Sequence, residues 1–239
     1  MTPDLNKNPN EISQMFDRVA KKYDLLNDLL SFGQTKRWRK VTTSIIAPKP
    51  GMKILDLAAG TGSSSEPLRK LGADVVSADF SQGMLDVGKI KYPKLKFVKA
   101  DALDLPFENE TFDLVTISFG LRNTNNATKA LQELSRVTKP NGRIVLVEFS
   151  HPNQKWFRNI YFRYLVGALP LISRVISKDS SAYVYLAESI KAWPNQSELA
   201  KLMMKSGWRD VTWQDLTFGI VAVHIAFRSV SVFEPNSAN

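Results

Sequence analysis

Hydrophobic and polar positions follow two different periods along this chain, and the switch between them divides it. Across residues 11–47, Ile12, Phe16, Val19 and Tyr23 recur at three- and four-residue spacing, the period of an amphipathic helix. Residues 24–33 add a second short apolar set, Leu25, Leu26, Leu29 and Leu30. Lys36, Arg37, Arg39 and Lys40 flank Trp38 and read as the solvated face of a further helix. Pro48, Pro50 and Gly51 end this helical region.

From residue 53 the pattern becomes short apolar runs separated by helical stretches. Residues 53–59 (KILDLAA) predict a strand that ends in the turn Gly60-Thr61-Gly62, with a helix over 63–71. Residues 74–80 (DVVSADF) predict a second strand, and Ser81 is placed to cap a helix carrying Met84, Leu85 and Val87. Further strands are predicted at 96–100, 112–119 (FDLVTISF) and 143–149 (RIVLVEF), the last preceded by a helix over 127–138 and the turn Pro140-Asn141-Gly142. Strands alternating with helices at this pitch build βαβ units. The fold class is α/β: a doubly wound, Rossmann-like and mainly parallel sheet with helices on both faces.

Residues 150–194 break the alternation. Trp156, Phe157, Tyr161, Phe162 and Tyr164 interleave with Arg158 and Arg163, an apolar run over 165–176 follows, and no acidic residue lies between Phe149 and Lys178. This predicts a helical insertion over the carboxyl edge of the sheet. The earlier grammar then resumes with a helix at 196–206 and strands at 210–216 and 219–228. Only Thr217 and Phe218 join those strands, too few for a parallel crossover, so they form a hairpin and the last strand runs antiparallel. One domain is expected, with an N-terminal helical cap (1–50), a ligand-binding core (51–149), a helical insertion or lid (150–195) and a C-terminal helix with a β-hairpin (196–230).

Composition narrows the chemistry. The absence of cysteine among 239 residues excludes disulfides, thiolate-ligated metals, iron–sulfur clusters and cysteine nucleophiles. Only His151 and His224 are histidines, which argues against a histidine-rich centre, so no metal is expected. An excess of 32 basic over 23 acidic residues gives a net charge of +9, which favours an anionic partner such as RNA or a phospholipid surface. Residues 1–10 are polar, unlike a secretory signal, and no run reaches the ~18–20 apolar residues of a spanning helix. A cytoplasmic location is expected, with contact to the inner face of the membrane left open.

Ligands of open α/β sheets bind beyond the carboxyl ends of the strands, near the switch in strand order. The first such end carries Asp56 and Gly60-Thr61-Gly62, where glycines let backbone approach a ligand. A nicotinamide cofactor would want a third glycine where Ser65 stands, and a phosphate-binding loop would want Gly-Lys-Ser/Thr. The turn suits a ligand with a cationic amino-acid end instead, with Asp56 orienting the turn and taking an ammonium group. Asp79 ends the second strand, where an acid accepts from ribose hydroxyls. Asp101 and Ala102 follow the third strand, in position for an adenine amino group, and Ser118 ends the fourth. Together these strand ends describe a nucleoside site.

Turn, ribose acid, adenine acid and terminal hairpin resemble the class I S-adenosylmethionine-dependent methyltransferases. More specifically, residues 15–24 (MFDRVAKKYD), with Asn27-Asp28 and Ser31-Phe32-Gly33, are similar to the opening signature of the ubiquinone/menaquinone-biosynthesis C-methyltransferases. So are 118–123 (SFGLRN), 186–190 (LAESI) with Pro194, and 219–224 (GIVAVH). The resemblance runs from about Phe16 to Phe227; Ala59 departs from it, where cysteine is common in the family.

The resemblance implies S-adenosylmethionine as cofactor and methylation of a ring carbon on a polyprenylated quinol, with demethylmenaquinol to menaquinol as the leading step and a ubiquinone-precursor benzoquinol as the alternative. A quinol carbon becomes nucleophilic once an adjacent hydroxyl ionises, so a base or a stabilising cation is expected nearby. Arg122 is the candidate cation, Asn123 a hydrogen-bonding neighbour, Tyr23 a group closing over the site with Asp24, and His224 the one histidine in a matched motif. The basic aromatic insertion, 155–178, is assigned to the membrane surface where such a substrate resides. An RNA methyltransferase would share the core but would want an RNA-binding module, so no nucleic-acid partner is expected. A non-catalytic quinone-binding subunit predicts decay of the cofactor residues, which are all present.

Overall fold

The computed structural model describes residues 8–168 and 181–229. Strands β1 (Lys53–Leu57), β2 (Asp74–Asp79), β3 (Lys96–Lys99), β4 (Phe112–Ser118), β5 (Thr138–Phe149), β6 (Trp208–Leu216) and β7 (Val221–Arg228) form one sheet in the order β3-β2-β1-β4-β5-β7-β6. The pairs β1–β2, β2–β3, β1–β4 and β4–β5 are parallel, and β7 lies antiparallel between β5 and β6. Strand order reverses at β1/β4, which creates the crevice where an α/β sheet binds ligands.

The helices are α1 (Pro9–Val19), α2 (Tyr23–Leu30), α3 (Gln34–Ile46), α4 (Ser65–Lys70), α5 (Gln82–Lys91), α6 (Ala127–Val137), α7 (Lys155–Arg163), α8 (Ser181–Ala192) and α9 (Gln196–Lys205). Adjacent strand residues point to opposite faces, so the apolar runs feed two cores. Ile54, Val75, Leu114, Val145 and Val223 pack with Trp38 and Ile46 of α3 and Leu68 of α4. Leu55, Leu57, Val115, Ile117 and Leu146 pack with Leu131 and Leu134 of α6 and Leu199 and Met203 of α9. Each fully buried aliphatic side chain contributes about 1.5–3 kcal/mol, which places most of the stability beneath the crevice.

Two boundaries differ from the sequence expectation. β5 begins at Thr138, because the Pro140-Asn141-Gly142 segment is an irregularity inside the strand, where pairing steps from Phe112↔Thr138 to Leu114↔Arg143. β6 begins at Trp208, whose buried indole Nε1 donates to the Leu131 carbonyl at 3.0 Å. Thr217–Gly219 forms a 3-10 turn between β6 and β7, with Phe218 in the left-handed region at φ 58°.

The described part of the insertion consists of α7, a π-helical turn over Tyr164–Ala168, and α8. Tyr161, Leu165, Ala187 and Ile190 pack on Phe149 and Ile220, at the carboxyl end of β5. Residues 169–180 of the predicted insertion, residues 1–7 of the N-terminus and residue 230 lie outside the described residues. Ile12 and Met15 of α1 pack against Tyr185 of α8, so cap and insertion meet above the crevice. Among the described residues no helix is long and apolar enough to cross a membrane.

Candidate active site

A cleft of about 1630 Å³, including its open mouth, runs between the strand ends and helices α1–α3. Its floor begins at the turn after β1, where Ala58, Gly60 and Gly62 take φ of 55°, 56° and 82°. The two glycines do different work. A Cβ at Gly62 would sit 2.8 Å from Phe97 Cζ, so this residue keeps the turn packed on β3 and does not line the cleft. A Cβ at Gly60 would meet nothing closer than Met84 Sδ at 4.0 Å, so the backbone there lies open to a ligand.

Asp56 is fully buried beneath this turn. Its Oδ2 accepts from Ser64 Oγ at 2.7 Å and Ser65 Oγ at 2.6 Å, while Oδ1 has no partner. Ser65, in the place of a third glycine, is thus a clamp on Asp56. Burial pushes the Asp56 carboxyl up to about 6; the serine hydroxyls oppose this and the charge of Asp79 adds to it.

Asp79 lines the cleft at the end of β2, accepting from the Gly60 and Ser81 amides at 2.8 Å each. Burial raises its pKa, against those backbone N–H groups. Asp101 accepts from the Leu103 amide at 2.9 Å, and Asp101, Ala102 and Ser118 line the cleft beyond Asp79. Burial raises both carboxyls, with the charge of Asp79 adding to it at Asp56 and that of Asp17 at Asp79; this favours a positively charged ligand, and the open backbone at Gly60 gives it access. The arrangement fits a cationic nucleoside.

The cap is stapled to the floor by two acids. Asp17 accepts from Ser81 Oγ at 2.5 Å and the Gly83 amide at 2.9 Å. Asp24 accepts from Thr61 Oγ1 at 2.7 Å, Ser63 Oγ at 3.0 Å and Lys91 Nζ at 2.7 Å. Burial raises the Asp24 pKa, but Lys91, Thr61 and Ser63 outweigh it and the net direction is down. Thr61 therefore lines the cleft with its hydroxyl committed to the cap.

The four catalytic candidates separate. Tyr23 and Asn123 line the cleft. Tyr23 stacks edge-on with Phe16, and burial raises its hydroxyl pKa, which keeps it a donor. Asn123 Nδ2 donates to the Phe119 carbonyl, and its Oδ1 accepts from Tyr185 of α8 at 3.3 Å.

Arg122, expected to present its cation to the substrate, is 5% exposed and lies behind the cleft wall. Its Nη1 donates to Glu148 Oε1 at 2.7 Å and the Phe119 carbonyl at 2.6 Å, so its charge is neutralised inside the protein. His224 is corrected too: it is buried in β7, away from the cleft, with Nε2 donating to the Gln196 carbonyl at 2.9 Å. Burial lowers its pKa.

Sequence reasoning missed Glu148, Ser64 and Ser65, and it misplaced Arg39. Thr35, Arg39, Thr42, Thr43 and Ile46 all line the cleft, one face of α3 at spacings of three, four and seven. Lys36, Arg37 and Lys40 form the exposed face that was expected of the whole run.

Comparisons with known proteins agree with this geometry. A demethylmenaquinone methyltransferase of Streptomyces avermitilis is 54% identical over 226 residues, covering 95% of this chain and 98% of that protein. One from Mycolicibacterium paratuberculosis is 51% identical, covering 94% and 97%. Among solved structures, an S-adenosylmethionine-dependent methyltransferase from Aquifex aeolicus superposes with a TM-score of 0.62 at 18% identity, covering 89% of this chain and 98% of that one. The [4+2]-cyclase SpnF superposes at 0.68 with 15% identity, covering 96% and 98%, so the shared fold leaves the reaction open. Sequence carries the finer assignment: the model of the ubiE/COQ5 methyltransferase family matches residues 4–228, and the chain belongs to that family.

Proposed function

We propose that this protein methylates a ring carbon of a polyprenylated quinol, demethylmenaquinol first among them, with S-adenosylmethionine as the methyl donor. The observation that carries the reading is the mixed lining of the cleft. Asp79, Asp101 and Ser118 at the strand ends line it together with the aromatic side chains Phe16, Tyr23, Trp38 and Phe119, polar groups for a nucleoside beside a surface for an aromatic ring. Relatives about half identical over nearly the whole chain act, by name, on demethylmenaquinone.

Bound S-adenosylmethionine supplies a methyl group on a positive sulfur, already activated for displacement. Asp79 holds the ribose, Asp101 and Ala102 border the adenine, and the Gly60 backbone takes the amino-acid end, with buried Asp56 acting from beneath the turn through its charge and through Ser64, which lines the cleft. Enclosure by α1–α3 excludes water and aligns the ring carbon, and such positioning is worth on the order of 7–11 kcal/mol. Tyr23 and Asn123 face the cleft as hydrogen-bonding partners for the quinol oxygens. Arg122 acts through structure, holding Glu148 at the end of β5 and the carbonyl of Phe119.

A substrate with an isoprenoid tail calls for a membrane-facing surface. Leu25, Leu29 and Phe32 of the cap are 69%, 53% and 78% exposed, and Trp156, Ile160 and Phe218 are 67%, 56% and 79% exposed. The Phe32 ring lies 6.5 Å from that of Tyr164, which joins the cap to the insertion on this side. Exposed Lys36, Arg37, Lys40 and Lys155 supply cations for anionic headgroups.

The deciding experiment is transfer of labelled methyl from S-adenosylmethionine, with reduced demethylmenaquinone, a reduced benzoquinone precursor and bulk RNA offered in parallel in anionic liposomes. Label on the naphthoquinol is expected. Label confined to the benzoquinol would change the ring, and label on RNA alone would overturn the reading.

A further inference from the structure

The cleft contains one cation with no assigned task. Arg39 is the sole Lys or Arg among the described residues that line it, and it forms no hydrogen bond or ion pair with any of them. The other cations near the cleft are committed: Lys91 to Asp24, Lys36 to Asp28 and Arg122 to Glu148. Arg39 is half-buried, and its field is felt at Asp56, beneath the glycine turn, and at Asp28, which is itself paired with Lys36.

The helix that carries it is immobilised. Trp38 Nε1 donates to Thr217 Oγ1 at 2.8 Å, and Arg143 Nη2 donates to the Ile46 carbonyl at 2.5 Å. Thr35 Oγ1 donates to Asp28 Oδ1 at 2.5 Å at the other end of α3. A half-buried guanidinium at the wall of a cleft loses water when the site is filled, a cost offset when the ligand brings an anion to it. The amino-acid end of the methyl donor carries both signs of charge. The Gly60 turn, with the Asp56 charge beneath it, suits its ammonium, which leaves a carboxylate to be matched by a cation of the same cleft.

We propose that Arg39 is the carboxylate anchor of the methyl donor, forming a two-charge clamp on its amino-acid end with Asp56, which acts from beneath the turn by its charge. This rests on the reading of the cleft as an S-adenosylmethionine site. A planar guanidinium fork matches a carboxylate through two parallel hydrogen bonds, which also fixes the rotation of the ligand. The clamp thereby sets the direction in which the methyl group points.

Equilibrium titration with two probes tests it: S-adenosylhomocysteine, which has the carboxylate, and 5′-methylthioadenosine, which lacks the whole amino-acid end. Arg39→Met is expected to weaken S-adenosylhomocysteine about 10–100-fold and to leave methylthioadenosine affinity unchanged. Arg39→Lys, which keeps the charge without the fork, is expected to recover part of the loss. Equal weakening of both probes, or of neither, would overturn the assignment. Wild-type protein that binds neither probe would sink the cofactor reading itself, a result distinct from any effect of the substitution.

Discussion

Acidic side chains organise both the floor of the cleft and the cap above it, yet the two regions use them in opposite ways. On the floor, Asp56 is fully buried and Asp79 half-buried, both are bonded to groups of the strand-end turns, and burial holds both above the ordinary carboxylate range. In the cap, Asp17 is exposed and Asp24 half-buried, and both reach across to another element. Asp24 is held below its ordinary range by the Lys91 ammonium and two hydroxyls, which outweigh its burial. The floor stores unfavourable charge that a cationic ligand relieves. The cap is tied by bonds that water and salt can replace, so it is the part suited to lift for ligand entry.

The largest expected effect breaks the floor. Arg122→Ala leaves Glu148, 1% exposed, without its counter-charge, and unfolding in denaturant is expected to show a loss of about 3–5 kcal/mol. Unchanged stability would remove the contrast between a tightly coupled floor and a loosely tied cap. Next comes pH. The folded Asp56 carboxyl titrates near 6 against an ordinary 3.8, so the folded protein binds the extra proton between those values. Its contribution therefore falls as pH rises from about 4 to about 6, by on the order of 2–3 kcal/mol, and Asp56→Asn removes that slope.

Asp24 has the opposite sign. Its stabilisation is present above its ordinary pKa and is lost as pH falls through the lowered value. Acid therefore loosens the cap while it relieves the floor, a pairing that denaturation curves of the two single variants would separate.

Smaller effects sharpen the same comparison. Asp79→Asn is expected to weaken S-adenosylhomocysteine about 10-fold, measured by calorimetric titration, because a charged acceptor of two amides becomes a neutral one. Asp24→Asn is expected to cost no more than about 1 kcal/mol in global stability, since the Lys91 pair is partly solvated. Amide protection in α1 and α2 is expected to fall first, and uniform loss across the sheet would contradict a separable cap.

Much of the floor was legible in the sequence. Alternating strands and helices located the carboxyl ends, and Asp79, Asp101, Ala102 and Ser118 lie where those ends predict. What escaped was pairing over distance. Glu148 neutralises Arg122 from 26 residues away, so a motif beside the cleft looked like a free cation. Ser65 argued against a nicotinamide turn, but its bond to Asp56 was unreadable until the turn closed. Arg39 sits in a basic run whose other members are exposed, and helical spacing alone does not say which face meets a cavity.

The sequence by itself determined the layered α/β sheet, its antiparallel last strand and the family, because periodicity and strand-end chemistry are local properties that survive without coordinates. Tertiary structure alone decided which charges are available for chemistry. Arg122 and His224 are consumed by buried partners, whereas Arg39 is left at the cleft wall. That outcome depends on burial and on groups brought together from distant parts of the chain, and electrostatic energies turn on distance and desolvation, which the order of residues does not encode.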